Sequence, residues 1–188
     1  MEPPVVRSGP ARRLGGLVVA ALAASFLVVM ALSGRVRDSG QFVRFEAAGV
    51  LADPPARIER VELSASSRRW AFRRAAGGWR LEPDGRPASA SLTTHLEDSL
   101  KFLHASAPIR ILERAEWSEQ GLREFGLDPP AYSAVLYRDA RPVIGVAFGA
   151  ENPQKMLQYV RVEGREQIFV MSRSMGREWE QVLSQAGR

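Results

Sequence analysis

The sequence predicts an α+β fold, in which an antiparallel sheet carries two main helices on one face and follows one N-terminal transmembrane helix. Three patterns support this prediction. Residues 14–32 form an uncharged apolar run. Two later blocks, 58–82 and 132–171, largely alternate apolar and polar side chains, which is typical of strands with one solvated face. A stretch with apolar side chains at helical spacing follows each block.

The apolar run is long enough to cross a bilayer as a helix. Its roughly nineteen residues at ~1.5 Å each span ~28 Å, close to the ~30 Å hydrocarbon core. Arg12 and Arg13 precede the run, and Arg35 and Arg37 follow it. The anchor residues are Leu14, Leu17, Val18, Leu22, Phe26, Leu27, Val29 and Leu32.

A cleavable secretory signal is the alternative interpretation of this run. Signal h-regions are usually ~7–15 residues long, so the length favours a retained anchor. However, Ala31-Leu32-Ser33 fits a small-x-small cleavage site, and cleavage therefore stays open. The arginines at the two ends differ by about one charge under the positive-inside rule. We expect a cytoplasmic N-terminus and a domain in the periplasm or outside the cell, the commoner layout for a short N-terminal tail.

The domain organisation follows from the anchor and from composition. The predicted segments are a disordered cytoplasmic tail, 1–13; the transmembrane helix, 14–32; a stalk, 33–55; and a soluble α+β domain, 56–188. The 188-residue chain has a formal net charge of +5 and no cysteine. The mild charge argues against a nucleic-acid partner, and the lack of cysteine excludes disulfides and thiolate metal sites.

Alternation and turn residues predict seven strands. They are Ile58–Leu63, the segment around Trp70 and Phe72, the segment from Trp79, Tyr132–Tyr137, Val143–Phe148, Met156–Val162 and Gln167–Met171. Gly77-Gly78 and the polar stretches 138–141 and 163–165 are the predicted turns. The shared order of strands followed by a serine-capped helix suggests a duplicated β-β-β-α unit.

Three helices are predicted in the domain. The first has Ser89 or Ser91 as its cap and a stripe of leucines, which are Leu92, Leu96, Leu100 and Leu103. The second runs from about Ser118 to Phe125, with Trp117 and Leu122 spaced as a hydrophobic staple. The third begins near Ser174 and has Met175, Trp179, Val182 and Leu183 on one face.

These elements resemble a family of bacterial envelope proteins known as domain of unknown function 4340. The resemblance covers about residues 55–185, and its most specific part is a Phe-Gly-Leu-x-x-Pro stretch at residues 125–130. The other matching segments are the strand Ile58–Leu63, Gly78-Trp79, the helix Leu92–Leu103, Phe148-Gly149 and Tyr159-Val160-Arg161.

The resemblance implies a role rather than a reaction. Members of this family are similar to membrane-tethered accessory proteins associated with ABC-type transport systems. The family has no established catalytic residues, so none is transferred to this chain. The implied location is the bacterial inner membrane, with a single pass and a periplasmic or extracellular domain.

The sequence offers no recognisable catalytic or cofactor motif. It has no phosphate-binding Gly-x-x-x-x-Gly-Lys-Ser/Thr loop, no Gly-x-Gly-x-x-Gly turn and no Gly-x-Ser-x-Gly elbow. His95 and His104 are the two histidines, and nine positions place them ~180° apart on one helix, too far for one metal. The acidic residues 97, 98, 113, 116 and 119 are expected to form solvated surfaces. We expect no enzyme activity, no cofactor and no metal.

A group of arginines is the one polar feature with a functional interpretation. The candidate interaction surface consists of Arg68, Arg69, Arg73, Arg74 and Arg80. Because Trp70, Phe72 and Trp79 are interleaved with them, the group predicts a basic, aromatic sheet face for an acidic partner, lipid headgroups or a polyanionic glycan. The alternative is a solvated face with the aromatic side chains turned inward, as strict alternation requires.

The resulting functional hypothesis is a non-enzymatic, membrane-anchored accessory protein of a bacterial envelope complex, with an ABC-type transport system as the expected complex. Its partners would be a membrane protein, such as a permease with its associated components, and the bilayer itself through the N-terminal helix. One alternative is a transient assembly or maturation factor for an exported enzyme or polysaccharide system. A remote alternative is a hydrolase with an unrecognised site.

Overall fold

The computed structural model describes residues 21–29 and 48–187. The chain divides into two units, Met1–Phe45 and Glu46–Arg188. In the first unit, residues 21–29 form helix α1, and its side chains are exposed. Across the described ranges, no helix is both long and apolar enough to cross a membrane.

The predicted anchor is therefore described only in part. Leu22, Phe26, Leu27 and Val29 lie in α1 and are exposed. The remaining anchor residues, Leu14, Leu17, Val18 and Leu32, lie outside the described residues, as do the predicted tail, 1–13, and residues 33–47 of the predicted stalk.

Within residues 48–187, eight strands form one antiparallel sheet, which confirms the predicted α+β class. The strands are β1 Arg60–Ala65, β2 Arg68–Ala75, β3 Gly78–Glu82, β4 Arg110–Leu112, β5 Tyr132–Arg138, β6 Arg141–Glu151, β7 Leu157–Val162 and β8 Ile168–Ser172. Their order across the sheet is β3-β2-β1-β5-β6-β7-β8-β4. The helices of this unit are α2 Ala90–Ala105, α3 Arg114–Trp117 and α4 Arg173–Ala186, and a 3-10 turn covers Pro55–Arg57. All seven predicted strands are present.

Helices α2 and α4 pack together on one face of the sheet. Ser89 caps α2, since its side-chain oxygen accepts a hydrogen bond from the Leu92 N–H at 3.1 Å. The four leucines of the predicted α2 stripe are fully or almost fully buried, as are Trp179 and Val182 of α4. They join a continuous core with Phe72 and Phe148 of the sheet. The predicted apolar faces of these two helices are confirmed.

In the described residues, the opposite face of the sheet is covered near β4, β7, β8 and the C-terminal end of β6. There, the segment 113–130 lies over a second buried cluster, which consists of Leu112, Leu127, Ile168 and Val170. Phe125 in this segment packs edge-on against Tyr159 of β7, with ring centroids 4.9 Å apart. The remainder of this face, over β2, β1, β5 and β6, carries exposed and half-buried side chains.

The predicted helix from Ser118 to Phe125 is wrong. The helical turn lies earlier, at α3, because Glu113 and Glu116 form a capping box in which the Glu116 carboxylate accepts from the Glu113 N–H at 2.9 Å. Ser118 ends this helix instead of starting one, and turns follow it, with Gly121 at φ +75°. Strand β4, which pairs with β8, was not predicted.

Residues 48–55, at the end of the predicted stalk, lie against the domain. The Gly49 and Leu51 N–H groups donate to the carbonyl oxygens of His104 and Leu103, at 2.9 and 3.0 Å. Leu51 is buried, and Asp53 forms an ion pair with Arg138. This stretch therefore belongs structurally to the domain and fixes the end of α2.

A buried arginine joins α4 to the sheet. Arg173, the first residue of α4, donates from Nε to Glu151 and from Nη2 to Glu180, both at 2.6 Å. Burial lowers the pKa of Arg173, but the hydrogen bonds that it donates to Glu180 and Glu151 outweigh this effect and raise the pKa overall. The side chain therefore stays charged while it links the start of α4 to the end of β6.

Candidate binding surface on the open sheet face

Alternation along β2 separates the five arginines of the predicted surface. Arg69 and Arg73 lie on the face opposite α2 and α4, which we call the open face, and Arg80 of β3 is paired with Arg73 on the same side. Arg68 and Arg74 point to the helix-bearing face, in register with Ala65 and Trp79. The structure thus places three of the five residues together.

The two arginines on the helix-bearing face make intramolecular contacts. Arg74 donates to Glu97 of α2 at 2.5 Å and to the carbonyl oxygen of Ile58 at 2.8 Å, and its guanidinium lies 4.4 Å from the Trp79 ring centroid. Arg68 lies 4.9 Å from the Trp70 ring centroid. Arg74 therefore fastens the sheet to α2, and the aromatic side chains belong to the helix-bearing face.

One row of the open face crosses five neighbouring strands. The register pairs Arg69 with Ser64, Ser64 with Ser133, Ser133 with Ala147, and Ala147 with Arg161. We call this row the trough, because three small side chains separate an arginine at each end. Four strand spacings of ~4.8 Å place the two arginine Cα atoms about 19 Å apart.

The next row of the open face is acidic and partly neutralised. Glu82 accepts from Arg60 at 2.8 Å and from Arg73 at 2.6 Å, and Arg60 also contacts Glu62 at 2.5 Å. The Tyr137 hydroxyl donates to Glu62 at 2.9 Å. These contacts hold Arg60 and Arg73 within the surface and leave less of their charge for a ligand.

The two arginines of the trough differ from these paired residues. Among the residues that the structure describes, neither Arg69 nor Arg161 forms an ion pair. Arg161 Nε is buried, and no described residue accepts its hydrogen bond. This atom is enclosed by the protein, so an external anion would be bound by the other nitrogens of the Arg161 guanidinium, which has no ion-pair partner among the described residues.

The open face contains two adjoining depressions. One has a volume of about 500 Å³ and includes Arg69, Ser64 and Ala71 in its lining. The other has a volume of about 300 Å³ and includes Ser133, Ala147 and Arg161. Val135 lines both depressions, so they meet at the centre of the sheet.

Gly145 keeps the floor of the second depression low. A Cβ atom at this position would lie 2.3 Å from Oε2 of Glu163, whose side chain crosses over the glycine. Glu163 also lines this depression, so any larger residue at position 145 would force its carboxylate to move. The sequence pattern alone identified this glycine only as part of a strand.

The Glu82 carboxylate gives the open face a pH dependence. The hydrogen bond from Arg60, followed by the one from Arg73, lowers the pKa of Glu82 below its ordinary value of 4.5, against the opposing effect of burial. Its stabilising contribution is therefore complete above pH 4.5 and is lost as the pH falls through the lower pKa of the folded state.

We expect the Glu82→Gln variant to lose part of this acid sensitivity. The unfolding midpoint in urea should fall less steeply between pH 5 and about pH 3 in the variant than in the parent protein. Chemical unfolding monitored by tryptophan fluorescence across this range measures the difference. Parallel pH curves for the two proteins would contradict the prediction.

The two histidines lie on α2, on the face of the sheet opposite the trough. His95 Nδ1 is 2.7 Å from Glu178 Oε2 across the α2–α4 contact, and His104 Nδ1 is 2.9 Å from the Leu51 carbonyl oxygen. Both histidines are half-buried. Within the described residues, no group of three His, Asp or Glu side chains is arranged to hold a metal ion. The open face therefore offers groups for binding: the guanidinium donors of Arg69 and Arg161 and the two depressions between them.

The Phe-Gly-Leu-x-x-Pro stretch has a packing role beside this surface. The Ala150 N–H donates to the Phe125 carbonyl oxygen at 2.8 Å, which fixes the segment 113–130 to β6. Gly126 has φ +63°, and a Cβ there would lie 2.7 Å from the Ala150 nitrogen. The motif therefore holds the cover of the sheet in place beside the trough, where Ala147 packs against the second buried cluster.

Comparisons of the chain with protein-family models, with curated proteins and with solved structures gave no match.

Proposed function

We propose that this chain is a non-enzymatic, membrane-anchored binding protein of a bacterial envelope complex, and that its open sheet face contacts the partner. The observation that carries the proposal is the trough, which combines two arginines without an ion-pair partner among the described residues with a row of small side chains. A surface of this kind favours recognition of an acidic partner.

The anchor would act by raising the local concentration of the domain. A domain confined to the plane of a bilayer meets a membrane-bound partner at a much higher effective concentration than a freely diffusing one. The uncharged run 14–32 and the flanking arginines support this part of the proposal. The orientation that we propose places the N-terminus in the cytoplasm and the domain in the periplasm or outside the cell.

The partner that we propose is an ABC-type transport system. The support is the resemblance to the domain of unknown function 4340 family, above all the stretch at residues 125–130 and the glycine at 149. Gly149 lies against Phe125 and Leu127 of this stretch, at the point where the segment 113–130 crosses β6. Family membership is part of this proposal.

The experiment is purification of the tagged full-length protein from its own membranes in a mild detergent, with quantitative mass spectrometry of the bound proteins. A permease and an ATPase at equal molar amounts are the expected result. Recovery of the protein alone, or with small amounts of exported enzymes, would reject a stable transporter subunit. The second of these results would favour a transient maturation factor.

We further propose that the domain arose by duplication of a β-β-β-α unit. Strands β1, β2 and β3 are followed by α2, and β6, β7 and β8 are followed by α4, with both helices on the same face. Strands β4 and β5 belong to neither set: β5 joins the two sets at the centre of the sheet, and β4 lies at the edge beside β8.

A further inference from the structure

We propose that the trough binds an acidic segment of the partner protein, which crosses the strands in an extended conformation and places carboxylates against Arg69 and Arg161. This inference rests on the proposed function, because it specifies the chemistry of the partner at the same surface. It also specifies which of the surface arginines make the contact.

The charge distribution selects these two arginines. Glu62 and Glu82, in the acidic row beside the trough, are held by Arg60 and Arg73, with distances between 2.5 and 2.8 Å. Arg69 and Arg161 have no such partner among the described residues. A guanidinium group presents parallel N–H donors that match the two oxygens of a carboxylate, so an Asp or Glu side chain fits each end.

The spacing defines the length of the segment. The two ends of the trough are about 19 Å apart, and an extended chain rises ~3.3 Å per residue. Two acidic residues separated by about six positions would therefore reach both arginines. Ser64, Ser133 and Ala147 lie between the arginines, and their small side chains leave room for the residues that connect the two acids.

The relief of the surface favours a protein segment over a lipid headgroup layer. The two depressions are recessed into the sheet, and Gly145 lowers the floor of one of them. A flat bilayer surface cannot follow such a recess, whereas a chain of amino acids can place alternate side chains into it. The open face therefore fits one extended segment across β2, β1, β5, β6 and β7.

Site-specific photo-crosslinking in the full-length protein tests this inference. The photoreactive residue p-benzoylphenylalanine is placed at Ser64 or at Ser133, in the trough, and separately at Arg177, an exposed position of α4 on the other face. The protein is irradiated in its own membranes, and the attached peptide is sequenced by mass spectrometry. We expect the trough positions to capture a peptide with two acidic residues about six positions apart.

Charge reversal supplies the matched comparison. Arg69→Glu with Arg161→Glu should lower the crosslinking yield by at least about tenfold, because two charge-assisted contacts become repulsive. Arg177→Glu makes the same change outside the trough and should leave the yield unchanged. Exchange of the two captured acidic residues for lysine should restore crosslinking to the double variant.

A folding control keeps the result interpretable. The thermal unfolding midpoint of each variant is measured first, and Arg69→Gln with Arg161→Gln replaces the double glutamate variant if the latter is destabilised. An unchanged yield in the arginine variants would overturn the inference. Capture of lipid, of glycan or of a peptide without acidic residues would also overturn it.

The experiments distinguish a failure of this inference from a failure of the proposed function. Continued co-purification of the partner with the arginine double variant would reject the trough and leave the proposed function standing. Crosslinks from Arg177 alone would reject the trough and the contact at the open face, and would leave the membrane-anchored binding role standing. Loss of all crosslinks, together with recovery of the protein alone from detergent, would reject both.

Discussion

Replacement of Arg173 by methionine is expected to lower the free energy of unfolding by about 3 kcal/mol, the lower end of the range for breaking a buried ion pair. The arginine side chain is 11% exposed, whereas those of its partners Glu151 and Glu180 are 34% and 42% exposed. The substitution leaves two carboxylates facing an apolar side chain. Their remaining contact with solvent is the reason for choosing the lower end of the range.

Urea unfolding of the full-length protein in detergent, followed by tryptophan fluorescence, measures this loss. Trp79 and Trp179 are both buried and report on the core that α4 helps to form. Arg177→Met is the control, since it removes an exposed arginine from the same helix and should cost less than about 0.5 kcal/mol. Equal losses in the two variants would show that Arg173 does not hold α4 to the sheet.

Gly149→Ala is expected to destabilise the domain by about 3 kcal/mol, the upper end of the range for overpacking a core. The added Cβ would lie 2.3 Å from the Phe125 carbonyl oxygen and 2.8 Å from Leu127 Cγ. Because that oxygen also accepts the Ala150 N–H at 2.8 Å, the backbone of the segment 113–130 must move away from β6 to make room.

Two measurements together identify this effect. Urea unfolding gives the loss of stability, and hydrogen exchange should show faster exchange in the segment 113–130 than in α2. Gly187→Ala serves as the control, because its Cβ would meet the nearest atom at an ordinary 3.4 Å. A Gly149→Ala protein with parental stability and unchanged exchange would contradict the packing role of the Phe-Gly-Leu-x-x-Pro stretch.

The strands and the two long helices were predictable because their signals are local. Period-two alternation identified the strands, and the leucine spacing in α2 identified its buried face. The segment 106–126 was mispredicted because competing local signals lie close together. The Trp117–Leu122 staple pattern favoured Ser118 as a cap, but the Glu113–Glu116 capping box started the helical turn earlier.

The candidate surface was predictable only in part. Counting by two along β2 separates Arg69 and Arg73 from Arg68 and Arg74, so the division of the arginine group follows from alternation alone. The trough cannot be predicted from alternation, because it depends on the register of five strands. Pairing of β1 with β5 joins residues that are far apart in the chain, and no local pattern specifies that Ser64 lies beside Ser133.

The pairing of β1 with β5 also has a consequence for how the domain folds during synthesis. The first three strands and α2 are complete by residue 105, but the neighbour that covers the inner edge of β1 begins only at Tyr132. Until then, this edge presents unpaired backbone groups on which another chain could add a strand. Sheet closure therefore waits for a late contact between distant segments, and such long-range contacts slow folding. The protein is therefore most prone to aggregate through this edge when only its first half has been synthesised.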